Sequence, residues 1–352
     1  MITLLRIILW PFSLIYGLIT ALRNHLYDIG YKKSFKFDTP VIGVGNLSVG
    51  GNGKTPLVEY LLVLLKQKYQ VATLSRGYGR NTKGFRLATS GENAGTLGDE
   101  PYQIFAKFDK QVTVAVGEER VLAIPVILQE RPETEVIVLD DAFQHRAVRP
   151  HLNILVTDFN RPFFGDYILP AGRLREYRRG AARAQLIVVT KCPLQLDPTT
   201  QNQYVQRIAR YAPQAKIYFS RMQVQPIQPL FDQPTTPSTI GGLILVSGIA
   251  SPSSLEMLVP DHQKIIKHLH YADHHRYRLA DIEKIRMEFS AHRDAGAIIL
   301  TTEKDMVKLR EFRKHLIDLP IYYLPIRVRL LNGSKSFDRE ILNNLESVDS
   351  KL

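Results

Sequence analysis

Cysteine is nearly missing from this chain. One residue, Cys192, stands in 352, which excludes an intrachain disulfide and leaves a reducing compartment open. No Cys/His group has zinc-site spacing, so a structural zinc module is not expected. Internal repeats and low-complexity tracts are absent too, which excludes a solenoid array. Acidic residues are in deficit. Against 46 Lys and Arg stand 34 Asp and Glu, giving a net charge of +12 and a pI near 9.6. Such a balance suits nucleic acid, an anionic membrane surface or a phosphorylated substrate, or serves solubility alone. Aromatic residues, 9% of the chain, show no interleaving with basic ones of the kind that stacks bases, so nucleic acid is not the expected partner.

What is present describes a globular protein: 45% hydrophobic and 23% charged residues, in a length that suits two domains. The longest uncharged run is Ile7 to Leu22, IILWPFSLIYGLITAL, flanked by Arg6 and by Arg23, His25, Lys32, Lys33 and Lys36. As a helix it spans about 24 Å, short of the ~30 Å hydrocarbon core. Trp10 and Tyr16 favour the interface, and no small-residue cleavage motif follows. The expectation is a helix lying in or dipping into an anionic membrane face. A buried first core helix and a single span are the alternatives.

Short β-branched runs then alternate with helical patterns: 40–44, 70–74, 111–116, 135–139, 153–156 and 185–189. Continuous apolar strands separated by helices predict a mostly parallel α/β sheet covered on both faces. A Pro/Gln/Thr-rich stretch near 220–241 reads as a linker, and LILVSGI and AIILTT beyond it suggest a smaller α/β unit. The expected division is 1–36 membrane helix and basic flank, 37–219 core, 220–241 linker and 242–352 second unit.

The chemistry concentrates at the first strand. VIGVGNLSVGGNGKTPL (41–57) is an apolar strand, a glycine-rich loop and a helix start. This arrangement holds nucleotide triphosphates: the backbone of Gly50, Gly51, Asn52 and Gly53 wraps phosphates, Lys54 reaches the β- and γ-phosphates, and the Thr55 hydroxyl meets Mg²⁺. Ser48 stands where the common pattern has glycine. VIVLDD ends a strand in Asp140 and Asp141, at the position of a second Mg²⁺ contact or of an ordinary helix cap. Gly98-Asp99-Glu100-Pro101 opens a helix with two acids, which match the helix dipole or supply a proton acceptor. SRGYGR (75–80) and the arginines of LPAGRLREYRR (169–179) follow strand ends, where they clamp an anion or form a solvated face. Asp273-His274-His275 reads as a structural run or as a proton-handling group. Thr302-Glu303-Lys304-Asp305 faintly matches the base-reading motif of GTP-binding proteins, without its Asn.

Taken in order, GNLSVGGNGKTP, SRGYGR, GDEP, DDAFQHR, LPAGRLRE, ADHH and TEKD resemble the tetraacyldisaccharide 4'-kinase (lipid A 4'-kinase) family over nearly the whole chain. That family's loop tolerates Ser or Thr at the place of Ser48. The resemblance implies a P-loop kinase that moves the γ-phosphate of ATP to the 4'-hydroxyl of a tetraacylated glucosamine disaccharide 1-phosphate, yielding lipid IVA. It implies nucleotide contacts from Ser48, Val49, Gly50, Gly51, Asn52, Gly53, Lys54, Thr55 and Pro56, with Arg120, Gln144, Arg175 and Glu176 around the phosphates. Asp99 becomes the base, assisted by His274; Thr55, Glu100, Asp140 and Asp141 serve Mg²⁺. The implied place is the cytoplasmic face of the inner membrane, with no obligate protein partner. Closure of two domains is expected to bring Asp99 to His274. The alternative is a P-loop NTPase or GTPase switch acting on a protein partner.

Overall fold

A computed structural model describes residues 2–232, 240–260, 262–331 and 333–349. Residues 233–239 of the expected linker lie outside them. The first eight strands are β1 (Val41–Asn46), β2 (Val71–Ser75), β3 (Arg86–Leu87), β4 (Thr113–Val116), β5 (Val136–Leu139), β6 (Leu152–Asp158), β7 (Leu186–Thr190) and β8 (Lys216–Val224). Then come β9 (Gln228–Pro229), β10 (Gly242–Ser247), β11 (Ile265–His270), β12 (Ala297–Thr302) and β13 (Ile321–Leu324), and last β14 (Ile326–Leu330). They build two sheets, β14-β8-β7-β6-β1-β5-β2-β4-β3 and β11-β10-β12-β13-β9. Both are parallel except at their edges, where β14, β3 and β9 run antiparallel to their neighbours.

The expected α/β class therefore holds, and the continuous apolar runs are the reason. Every residue of β1, β2, β5 and β7 is buried, because helices cover both faces of the sheet. On one face, Leu57, Leu61 and Leu65 of the helix Lys54–Leu65 pack with Phe337, Ile341 and Leu345 of the helix Ser334–Asp349. Each such fully buried side chain contributes about 1.5–3 kcal/mol. On the other face, Ile124 and Ile127 cover Ala72, Leu74, Ile137 and Leu139. The C-terminal ends of the central strands are left to carry the site.

The expected second unit, 242–352, needs correction. After β13 the chain crosses back: β14 pairs antiparallel with β8, and Gln225 N–H donates to Pro325 O where the two crossings run side by side, 2.9 Å. The reason is legible in IRVRL, whose alternation suits an edge strand, and in Phe337, Ile341 and Leu345, spaced four apart on one helix face. The core also keeps β8 through Val224, past the expected end at 219.

The N-terminal helix, Ile2–Asp28, is inverted relative to a core helix. Ser13 and Gly17 face the protein, while Ile8, Phe12, Ile15, Leu18, Ile19 and Leu22 are all more than half exposed. That exposure overturns the buried-first-helix alternative. Ser13 Oγ donates to Ile168 O (3.1 Å) and accepts from Ala171 N–H (2.9 Å), and Tyr16 Oη donates to Arg175 O (3.0 Å). A Cβ at Gly17 would stand 2.5 Å from Tyr177 Oη, so glycine permits this close approach. Arg6–Asp28 is long and apolar enough to cross a membrane by length and composition.

Candidate active site

The phosphate loop leaves the end of β1. Asn46 Nδ2 donates to Ser48 O at 2.7 Å, and Asn52 Nδ2 donates to the same oxygen at 3.1 Å. LPAGRLRE braces the loop from outside. Val49 N–H donates to Arg173 O (2.8 Å), Arg175 N–H donates to Leu47 O (2.7 Å), and Ser48 bridges Leu174. Ser48 is thus held as one strand of a small ladder, where a β-carbon is welcome. Gly50 (φ 106°) and Gly53 (φ 80°) take left-handed conformations, and a Cβ at Gly50 or Gly51 would meet nothing within 4 Å. The cradle is therefore open toward a ligand. Lys54 and Thr55 begin the following helix, with Pro56 in its first turn, where no N–H is needed.

Lys54 Nζ lies 3.3 Å from Asp141 Oδ1 and donates to Asn46 Oδ1 at 3.4 Å. Arg175 Nη1 donates to both oxygens of Asp141, at 3.0 and 2.9 Å, and to Gln144 Oε1 at 3.4 Å. Burial alone would raise the Asp141 carboxyl, but these two cations outweigh it and hold it low. Asp141 also sits at φ 47°, in the left-handed region, a strain typical of functional sites. Its neighbour Asp140 is 2% exposed. Burial first, then the charge of Glu100, push its carboxyl up to about 7, against the pull of Lys54. Arg120 is buried under this pair, with Nη2 donating to Asp140 O at 3.2 Å and Nε without a hydrogen-bond acceptor. A buried cation with a spare donor behind the Asp140–Asp141 pair fits an anionic ligand.

Glu176 is held by neighbouring side chains. Its carboxylate accepts from Asn24 (2.6 Å), Gln144 (3.0 Å) and Arg183 (3.0 and 2.7 Å), and it is 2% exposed. It holds Gln144 and, through Asn24, the N-terminal helix. Gln144 in turn donates to Asn46 O at 2.8 Å, joining that helix to the loop's first residue.

Asp99 opens the helix Asp99–Phe108 directly after Gly98, whose φ of 95° and Cβ contact with Tyr78 O (2.8 Å) require glycine. His274 Nδ1 lies 3.0 Å from Asp99 Oδ2 across a sequence separation of 175 residues. The pair is in contact in this structure. His274 is the histidine that pairs; His275 bonds Asp281 instead, at 2.9 Å. His274 carries φ 58°, a second left-handed non-glycine.

Two residues here were missed as site residues. Lys304 Nζ stands 3.1 Å from His274 Nε2, and Lys308 Nζ 3.5 Å from Asp99 Oδ2. An ammonium only donates, so Nε2 accepts and the proton of a neutral His274 rests on Nδ1, directed at Asp99. Burial would raise the Asp99 carboxyl; the His274 hydrogen bond and the lysine charges outweigh it and keep Asp99 a carboxylate. The available signal is the TEKD segment, which belongs to the ordered family motifs and matches a base-reading motif only faintly. The structure makes it a cap instead: Thr302 Oγ1 accepts from Asp305 N–H (3.0 Å) and Asp305 accepts from Gly248 N–H (2.8 Å). SRGYGR divides likewise. Arg80 is locked on Glu118 at 2.6 Å, while Arg76 and Tyr78 stay exposed.

A parallel sheet with a glycine-rich phosphate loop at its first strand, paired acids at a neighbouring strand end and a histidine-backed carboxylate defines a P-loop kinase. The profile of the family described as tetraacyldisaccharide-1-P 4'-kinase matches residues 5–346. The chain belongs to this family. It is 42% identical over 350 residues to the tetraacyldisaccharide 4'-kinase of Bacteroides thetaiotaomicron, covering 95% of this chain and 92% of that one. To the tetraacyldisaccharide 4'-kinase of Flavobacterium psychrophilum it is 41% identical over 346 residues, covering 97% and 98%. Among solved structures it resembles LpxK from Aquifex aeolicus in complex with ATP, with a TM-score of 0.74 and 30% identity over 97% of this chain and 99% of that one.

Proposed function

We propose that this chain carries out the reaction of its family, ATP-dependent phosphorylation of the 4'-hydroxyl of a tetraacyldisaccharide 1-phosphate in lipid A synthesis, with Asp99 as the base. The observation that carries the assignment of roles is the contact between Asp99 and His274 at 3.0 Å, on the helix whose next residue, Glu100, faces Asp140. Asp99 takes the proton of the attacking hydroxyl. His274 holds the carboxylate in place through its Nδ1 proton. Gly50 to Gly53 and Lys54 bind the triphosphate, and Arg175 and Arg120 offset its charge.

Thr55, Asp140, Asp141 and Glu100 are the oxygen donors that would hold Mg²⁺, which neutralises charge on the transferring phosphate. Among the described residues no group of three or more His, Cys, Asp and Glu side chains is arranged as a metal cage.

The outward apolar face of the N-terminal helix supports residence at the cytoplasmic face of the inner membrane, where an acylated acceptor is presented. A nucleotide switch acting on a protein partner is not favoured, since it gives neither the Asp99–His274 pair nor that helix a task.

Incubation with labelled ATP and tetraacyldisaccharide 1-phosphate in mixed micelles tests the reading; a lipid with a second, labelled phosphate is expected. Release of phosphate to water with no labelled lipid would sink it. His274→Ala should lower kcat about 10- to 100-fold with the ATP KM little changed. His275→Ala, which loses Asp281 and stacking on Tyr271, should lower the melting temperature and leave kcat within about twofold. Steady-state kinetics of the two variants side by side decide between them.

A further inference from the structure

Glu59 lies in the helix that the phosphate loop feeds, KTPLVEYLLVLL, among leucines, and is 4% exposed. Its Oε2 accepts from Lys107 Nζ at 2.6 Å and its Oε1 from Gln103 Nε2 at 2.8 Å. Lys107 and Gln103 are one turn apart on the helix that Asp99 opens. The same ammonium donates to Glu303 Oε1 at 2.8 Å, and Glu303 Oε2 accepts from Ile326 N–H at 3.1 Å. Glu303 is the first residue of the helix Glu303–Leu309, which carries Lys304 against His274 and Lys308 against Asp99. Ile326 opens β14, where the chain re-enters the first sheet.

One ammonium thus joins the three bodies that must be aligned for transfer: the helix that begins with Lys54 and Thr55, the helix that begins with Asp99, and the unit that supplies His274. We propose that Lys107 is a positioning residue for phosphoryl transfer, fixing the separation and register of these elements through Glu59 and Glu303. The inference rests on the kinase reading above.

The physical case is the cost of the arrangement. Glu59 has been taken out of water and its partners partly so, with the Lys107 side chain 24% and that of Glu303 11% exposed, and burial pushes the Glu59 carboxyl up despite Lys107. An apolar trio of similar volume would hold the helices together about as firmly. Apolar contacts are non-directional and let helices slide. Charged hydrogen bonds of 2.6 and 2.8 Å fix distance and direction. In-line transfer is sensitive to displacements of about 1 Å, which can cost about 100-fold in rate.

Lys107→Met alone leaves two buried carboxylates and is expected to fold poorly. The informative variant is Glu59→Gln/Lys107→Met/Glu303→Gln, which removes all three charges and changes no residue assigned above to nucleotide, metal or acceptor. In the full chain, assayed with ATP and the tetraacyl acceptor well below its melting temperature, kcat is expected to fall about 10- to 100-fold. ATP affinity, read by equilibrium titration, should stay within about twofold. Lys107→Arg, which can still bridge two carboxylates, should recover most of the loss. A triple variant with wild-type kcat would overturn the proposal, leaving a structural ion pair. So would a loss of ATP affinity in step with kcat, which would mean that the loop itself had moved. Absence of lipid phosphorylation by the unaltered protein would instead count against the kinase reading, so the two failures are distinguishable.

Discussion

Asp99→Ala is expected to lower kcat by about 10²–10⁴-fold while the KM for ATP changes by less than about threefold. The asymmetry follows from where the groups are rooted. In the proposed reaction the triphosphate is held by the loop after β1 and by Lys54, which lies on a different helix from Asp99. Losing the carboxylate leaves those contacts intact and removes the acceptor for the hydroxyl proton. Asp99 is suited to this because His274, Lys308 and Lys304 keep it ionised despite burial. Asp99→Asn sharpens the test. It keeps the size and a hydrogen bond to His274 but cannot accept a proton, so its loss should match that of alanine. Steady-state kinetics at saturating acceptor measure both. Turnover within about tenfold of the unaltered chain would remove Asp99 as the base.

Removal of residues 1–28 is expected to abolish sedimentation with anionic vesicles and to reduce acceptor phosphorylation by at least about 100-fold. Ile8, Phe12, Ile15, Leu18, Ile19 and Leu22 expose their side chains outward. At about 1 kcal/mol for each half-exposed side chain returned to an apolar phase, these six favour the membrane by more than ~10³. The same deletion should also weaken ATP binding several-fold, which a detached anchor would not do. Asn24 is a partner of buried Glu176, Arg23 donates to Gln144 O at 2.8 Å, and Tyr16 donates to Arg175 O. Without them Gln144 and Arg175 lose the supports that hold them against the loop. Asn24→Ala separates the two effects: vesicle binding should persist while ATP affinity falls. Full acceptor turnover by the truncated chain would refute both roles.

Much of this site is legible in one dimension because its parts are local. A glycine-rich turn after an apolar strand, two acids at a strand end and two acids at a helix start each use neighbouring residues to shape one backbone feature. The N-terminal run is legible too, since its lack of charge is compositional. What escaped reading is long-range. TEKD faintly matches a nucleotide motif because spacing ignores location; placed at the end of β12 in the second sheet, it caps a helix and brings Lys304 to His274 and Lys308 to Asp99. IRVRL looked like part of the second unit because a two-periodic edge strand does not announce its partner. The family resemblance puts Glu176 around the phosphates, but nothing local announces that its oxygens accept from Asn24, Gln144 and Arg183.

By itself, then, the sequence determined the parallel core, the nucleotide loop, the acids that face it and an apolar helix at the start. Those depend on periodicity and on backbone geometry within a few residues. The family motif already favoured His274 over His275 as the partner of Asp99, and the contact agrees; only the tertiary structure decided that the last strand and helix return to the first sheet, and that the N-terminal helix turns its small and polar side inward. Such matters are settled by hydrogen bonds and burial between segments more than a hundred residues apart, and local spacing carries no record of them.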